Sequence, residues 1–186
     1  FGWLGVYLFF IISGFAIIMT LERCRNFGEF ILRRWLRLFP AMLVCSLIIF
    51  WTAPIFPERP FGLVGYRDLL PGLTFIEPDF WEKMTGTHQG IMEGSFWSLY
   101  VEVKFYVIFG MLYFLLGWRK AVTALVVIFL LTYVTRLLGR ISPEIDFHLA
   151  NSMFQLIGAK FYGWFAAGAL YYKYYMLYWM SLMVKT

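Results

Sequence analysis

The sequence predicts an all-α protein, a polytopic bundle of about five transmembrane helices, and three observations carry that prediction. Hydrophobic residues make up 61% of the 186 positions and charged residues only 15%, more apolar surface than a water-soluble core can hide. Several runs approach the ~20 apolar residues that cross roughly 30 Å of hydrocarbon. Aromatic residues reach 22%, the kind of enrichment that places rings among lipid headgroups at helix ends.

The five spans follow in order. Residues 1–21 carry no charge, and residues 38–56 are equally clean, with Pro40 and Pro54 near the ends, where helix boundaries tolerate proline. Residues 96–118 have the right length but contain Glu102 and Lys104, while residues 121–138 are apolar until Arg136, whose long stem can snorkel. Residues 149–172 are interrupted by Lys160 and rich in small residues that let helices approach closely.

Connections set the orientation, because Lys and Arg collect on the cytoplasmic side. Residues 22–37 form a basic connection with Arg23, Arg25, Arg33, Arg34 and Arg37, and Arg119 and Lys120 lie in the turn before the fourth span. Both face inward in this reading. Residues 57–95, a mixed-charge stretch punctuated by Pro and Gly, form an irregular outward connection. The net charge of +5 is thus a topology signal, and no nucleic-acid partner is expected. Cys24 and Cys45 have the setting of neither a disulfide framework nor a metal site, and no metal is expected.

Three constellations carry candidate chemistry. In Arg33-Arg34-Trp35-Leu36-Arg37, ahead of Pro40, the three- and four-residue spacings put the guanidinium groups toward one helix face. Their forked donors suit phosphate oxygens, although anionic lipid is an alternative partner. In the third span, Ser98, Glu102 and Tyr106 share one stripe. An ionisable residue at that depth costs a few kcal/mol unless it is paired or faces a wet cavity, so Glu102 is a functional candidate beside the plainer reading of a structural ion pair. Ser13 and Gly14 interrupt a bulky apolar helix, as at a close packing site or a thin wall beside a cavity. His88 and His148 have no triad or metal-ligand spacing and read as surface residues.

Together these segments resemble the membrane acyltransferase-3 family, polytopic enzymes that O-acylate bacterial surface polysaccharides and related molecules. Gly5 to Phe15 resembles the family's Gly-Val-x-x-Phe-Phe-x-Ile-Ser-Gly-Phe helix, and Arg33-Arg34-Trp35-Leu36-Arg37-Leu38-Phe39-Pro40 its arginine motif. Trp97-Ser98-Leu99-Tyr100-Val101-Glu102 resembles its Trp-Ser-Leu-x-x-Glu helix, with Val103-Lys104 departing from the Glu-Gln common in the family. The resemblance implies transfer of an acyl group, most simply acetyl, from cytoplasmic acyl-CoA as donor substrate to a hydroxyl of a glycan or related acceptor, with no permanently bound cofactor. It implies Arg33, Arg34 and Arg37 as the CoA-phosphate site, Glu102 with Ser98 in support at the reacting centre, and Trp97, Ser13 and Gly14 shaping the site. It further implies a bacterial inner-membrane location and polysaccharide or lipopolysaccharide modification. The family's catalytic His belongs to a span ahead of residues 1–21, so this segment alone is expected to be inactive. The alternative is a transporter or flippase segment with Glu102 on a substrate or proton path; a non-catalytic membrane scaffold is a third reading.

Overall fold

The computed structural model describes residues 2–56, 58–62, 64–141 and 147–183. These form helices and turns: α1 (Gly2–Leu21), α2 (Phe27–Thr52), the short α3 (Leu69–Thr74) and α4 (Pro78–Thr85), α5 (Trp97–Leu116), α6 (Trp118–Ile141), α7 (His148–Leu156) and α8 (Tyr162–Met183). Among the described residues there is no strand, and α1, α2, α5 with its leading turn, and α6 are long and apolar enough to cross a membrane. The all-α polytopic class is therefore what the chain adopts.

Helix boundaries differ from the expected spans where local chemistry decides them. Helix α2 begins at Phe27, well inside the stretch assigned to a basic connection, because Asn26 caps it. The Asn26 Oδ1 accepts from the Glu29 N–H at 2.8 Å, and the Glu29 carboxylate accepts from the Arg25 N–H at 2.8 Å, a reciprocal arrangement akin to a capping box. The arginine motif accordingly lies on the helix. Between α5 and α6 only Gly117 intervenes, at φ 78, the left-handed conformation that ends helices and favours glycine. Arg119 and Lys120 therefore sit in the first turn of α6.

The expected fifth helix at 149–172 is not continuous. Gly158 adopts φ 71 and breaks the stretch into α7 and, after a 3-10 turn at Ala159–Phe161, α8. Helix α8 then runs on to Met183. The connection at 57–95, expected to be irregular, contains α3, α4 and two 3-10 turns.

The chain divides into two compact units, Phe1–Ile31 with Lys104–Thr186, and Leu32–Val103. In the first, α1 and α8 run in the same direction at very short range. A methyl group added at Gly14 would overlap the Phe165 carbonyl, and one at Gly168 would overlap the Ile11 carbonyl, so backbones touch where side chains are absent. Rings fill the rest of the seam. Phe105 stacks on Phe165 at 3.8 Å between centroids, and Phe10 leans on Phe161 and Phe165, each at 4.8 Å. Helix α6 joins through Phe129, whose ring fills the space above Gly163.

The second unit is built differently. Met42, Phe75, Met92, Phe96 and Tyr100 form a small buried cluster, and the connection around it is fixed by side chains that bind backbone. Asp68 accepts from the N–H groups of Gly65 and Gly90 at 2.7 and 2.6 Å, and the Arg59 guanidinium donates to the Met92 carbonyl. Trp81 Nε1 donates to Thr74 Oγ1 at 3.0 Å, tying α4 to α3.

Candidate active site

The arginine motif begins two turns into α2, and helical geometry distributes its three guanidinium groups unequally. Arg34 is only 2% exposed, whereas Arg33 and Arg37 are exposed. The trio expected to share a face is thus divided. Positions 33 and 37 lie about 40° apart around the helix axis and position 34 about 60° from 37, enough for one arginine to enter the interior while its neighbours stay at the surface.

Glu102 lies on α5 and is 4% exposed. Among its described residues the unit therefore buries one guanidinium and one carboxylate, both within long apolar helices, where a charged group costs several kcal/mol unless it is compensated. Ser98 and Tyr106 share its stripe at four-residue spacing; Tyr106 is buried and Ser98 half-buried. The Ser98 hydroxyl donates to the Ser95 carbonyl at 3.0 Å, which fixes its rotamer and points its lone pairs away from that bond. Trp97 is half-buried at the start of α5.

Ser13 and Gly14 are buried on α1, and Gly14 is the point at which α1 meets the α8 backbone. Its role in the structure is helix approach. His88 is exposed and lies 3.2 Å from a Glu82 carboxylate oxygen, a surface pair, and His148 opens α7. Neither stands in a buried polar setting.

Three polar residues not singled out from the sequence accompany the buried pair in the same unit. Ser46 on α2 is completely buried and its hydroxyl lacks a hydrogen-bond partner among the described residues, as does the Gln89 side-chain carbonyl oxygen. Asp68 organises the neighbouring loop. For Asp68 a signal was available, since a Gly-x-x-Asp turn is a local hydrogen-bonding pattern. For Ser46 and Gln89 there was none, because burial of a single small polar residue leaves no periodic trace.

The described residues are those of a polytopic helical membrane protein that buries an arginine and a glutamate inside apolar helices, where ionisable residues are rare. Comparison with known proteins gives the family. A family model described as an acyltransferase domain matches residues 1–184, and the chain belongs to this acyltransferase-3 family. An O-acetyl transferase of Shigella phage Sf6 is 30% identical over 168 residues, which is 87% of this chain and 49% of that protein. The chain thus spans about half the length of the curated relative it matches. No solved structure matches it.

Proposed function

We propose that the protein acts as a membrane-embedded O-acyltransferase of the bacterial inner membrane, moving an acyl group, in the simplest case acetyl, from cytoplasmic acyl-CoA to a hydroxyl of a glycan or related acceptor. The observation that carries this reading is the burial of Arg34 and Glu102 within the motif helices of a chain that belongs to the acyltransferase-3 family. The relative's name, an O-acetyl transferase, supports oxygen as the acceptor atom and acetyl as the group.

The division of the arginines suggests a division of work. Arg33 and Arg37, exposed on α2, present planar forks to the phosphates of CoA, for which a lysine is a poor substitute. Arg34 lies in the interior and stabilises negative charge there. Glu102 orients the reacting groups, with Ser98 and Trp97 shaping the space around it. In the reaction the acceptor oxygen attacks the thioester carbonyl, a base takes the hydroxyl proton, the C–S bond breaks, and the base returns that proton to the departing thiolate, so that CoA leaves as thiol.

The test uses the full-length protein in membrane vesicles with acetyl-CoA labelled in its acetyl group. Label should appear in the glycan fraction, and Glu102→Gln should lower transfer per folded molecule by about 10²-fold with acyl-CoA binding retained, the scale of a lost orienting or acid-base group. Arg37→Lys should weaken acyl-CoA binding at equal membrane insertion. Absence of label transfer by the wild type, or near wild-type turnover by Glu102→Gln, overturns the assignment.

A further inference from the structure

The first unit contains a hollow of about 100 Å³ lined by Trp3, Tyr7, Tyr133, Lys160, Phe161 and Trp164. These residues come from the start of α1, from α6, and from the turn and first residues leading into α8. Tyr7 and Trp164 stack at 4.7 Å with 18° between their planes, which makes one wall rigid, and Trp164 nevertheless remains 38% exposed. The Lys160 ammonium lies over the Phe161 ring, 4.7 Å from its centroid. It is exposed and has no acidic partner among the described residues.

The position of the hollow is as informative as its lining. At the opposite end of the same helix pair, Glu22 accepts from the Tyr172 hydroxyl at 2.8 Å and pairs with Lys173, whose ammonium sits over the Trp118 ring. The basic residues Arg23, Arg25, Arg119 and Lys120 belong to that end, which the distribution of positive charge assigns to the cytoplasm. Tyr7 lies fifteen residues before Glu22, roughly 22 Å along the axis at 1.5 Å per residue. The hollow therefore belongs to the outward end, away from where acyl-CoA arrives.

Five aromatic residues and one cation lining the same hollow form a specific chemistry. Ring faces carry negative charge density that attracts the C–H groups of a flat, partly apolar partner, and the faces of a pyranose ring present such C–H groups. A lysine offers a point charge to a phosphate or carboxylate. A lipid headgroup phosphate would satisfy the lysine and leave the ring walls without a flat partner.

We propose that this hollow seats the acceptor: a saccharide unit bearing a phosphate or a carboxylate, its ring against the Trp164 wall and its anion against Lys160. The inference rests on the acyltransferase reading, which it extends from glycans in general to anionic ones.

The experiment is saturation-transfer NMR on the full-length protein in phosphatidylcholine nanodiscs, with glucose, glucose 1-phosphate and glucuronate as probes. The anionic sugars should receive about threefold more saturation than glucose, the scale of an exposed charge pair. Lys160→Gln, a change at an exposed side chain, should bring them down to the glucose level, and Trp164→Ala should abolish the signal while Trp164→Phe keeps part of it. The stronger of the two anionic probes identifies the anion as phosphate or carboxylate. Equal signals from all three sugars, or signals unaltered in Trp164→Ala and Lys160→Gln, overturn the proposal. So does loss of the glucose signal in phosphatidylglycerol nanodiscs, because a lipid headgroup occupying the hollow displaces a neutral sugar whereas charge repulsion does not. Failure of the two readings is separable. Sugar binding that needs Trp164 and Lys160 in a protein that transfers no label from acetyl-CoA would leave the site standing and remove the enzyme, whereas label transfer with an acceptor KM unchanged in both variants would do the reverse.

Discussion

The two units are made of similarly apolar helices and hold themselves together by different means. In the first, Gly14 and Gly168 bring two backbones into contact and rings such as Phe10, Phe105 and Phe165 close the seam. Among its described residues the buried polar ones are Ser13 and Thr132, and the Thr132 hydroxyl donates to the Ile128 carbonyl at 2.8 Å. In the second, the buried set includes Arg34, Ser46, Gln89 and Glu102, and loops are tied by Asp68 and Arg59 to backbone groups. Close apolar packing supplies rigidity in one part of the chain, while the costly buried charges concentrate in another. A region that spends stability on buried charge is where chemistry is expected.

The largest effect expected from breaking this contrast is at the glycine seam. Gly168→Leu forces a side chain into the Ile11 carbonyl, and because backbone cannot yield as a side-chain tip can, about 3 kcal/mol or more of stability should be lost. Thermal unfolding in detergent followed by circular dichroism measures it; an unchanged midpoint would mean that the helices do not meet there.

A smaller effect is expected at Asp68, where Asp68→Ala removes acceptors from two N–H groups and should cost about 2 kcal/mol. Limited proteolysis should show cleavage near Gly90 in the variant with α1 and α8 still protected. Equal protection of both regions would deny that this carboxylate organises its loop.

Ser46→Ala is expected to have the opposite sign. The Ser46 hydroxyl is buried without a partner among the described residues and faces Gly72, where an added methyl would lie 2.9 Å from it. Removing the oxygen should leave stability unchanged or raise it by about 1 kcal/mol. A clear loss of stability would show that the hydroxyl has a bonding role. The smallest effect belongs to His88, whose exposed pairing with Glu82 is worth under about 1 kcal/mol. His88→Ala should leave melting temperature and label transfer as in the wild type, and a turnover defect at unchanged stability would make His88 a candidate for the base.

The membrane helices were legible because their signal is additive: residues 1–21 contain no charge, and one uncharged run of that length suffices. The stripe of Ser98, Glu102 and Tyr106 was legible because 3.6 residues per turn is a local rule. The Asn26 cap was present in the sequence as Asn-x-x-Glu, yet a basic stretch reads as a connection until the cap is weighed against it. What the sequence alone could not determine depends on partners distant along the chain. Whether Gly158 breaks a helix or merely thins one rests on the φ that its neighbours impose, and here it is 71. That Arg34 is buried and Arg33 is not, or that Lys160 joins Trp3, Tyr7 and Trp164 around one hollow, is decided by tertiary packing. Composition and periodicity report how much of a helix is apolar, whereas which polar residue turns inward depends on the elements packed against it.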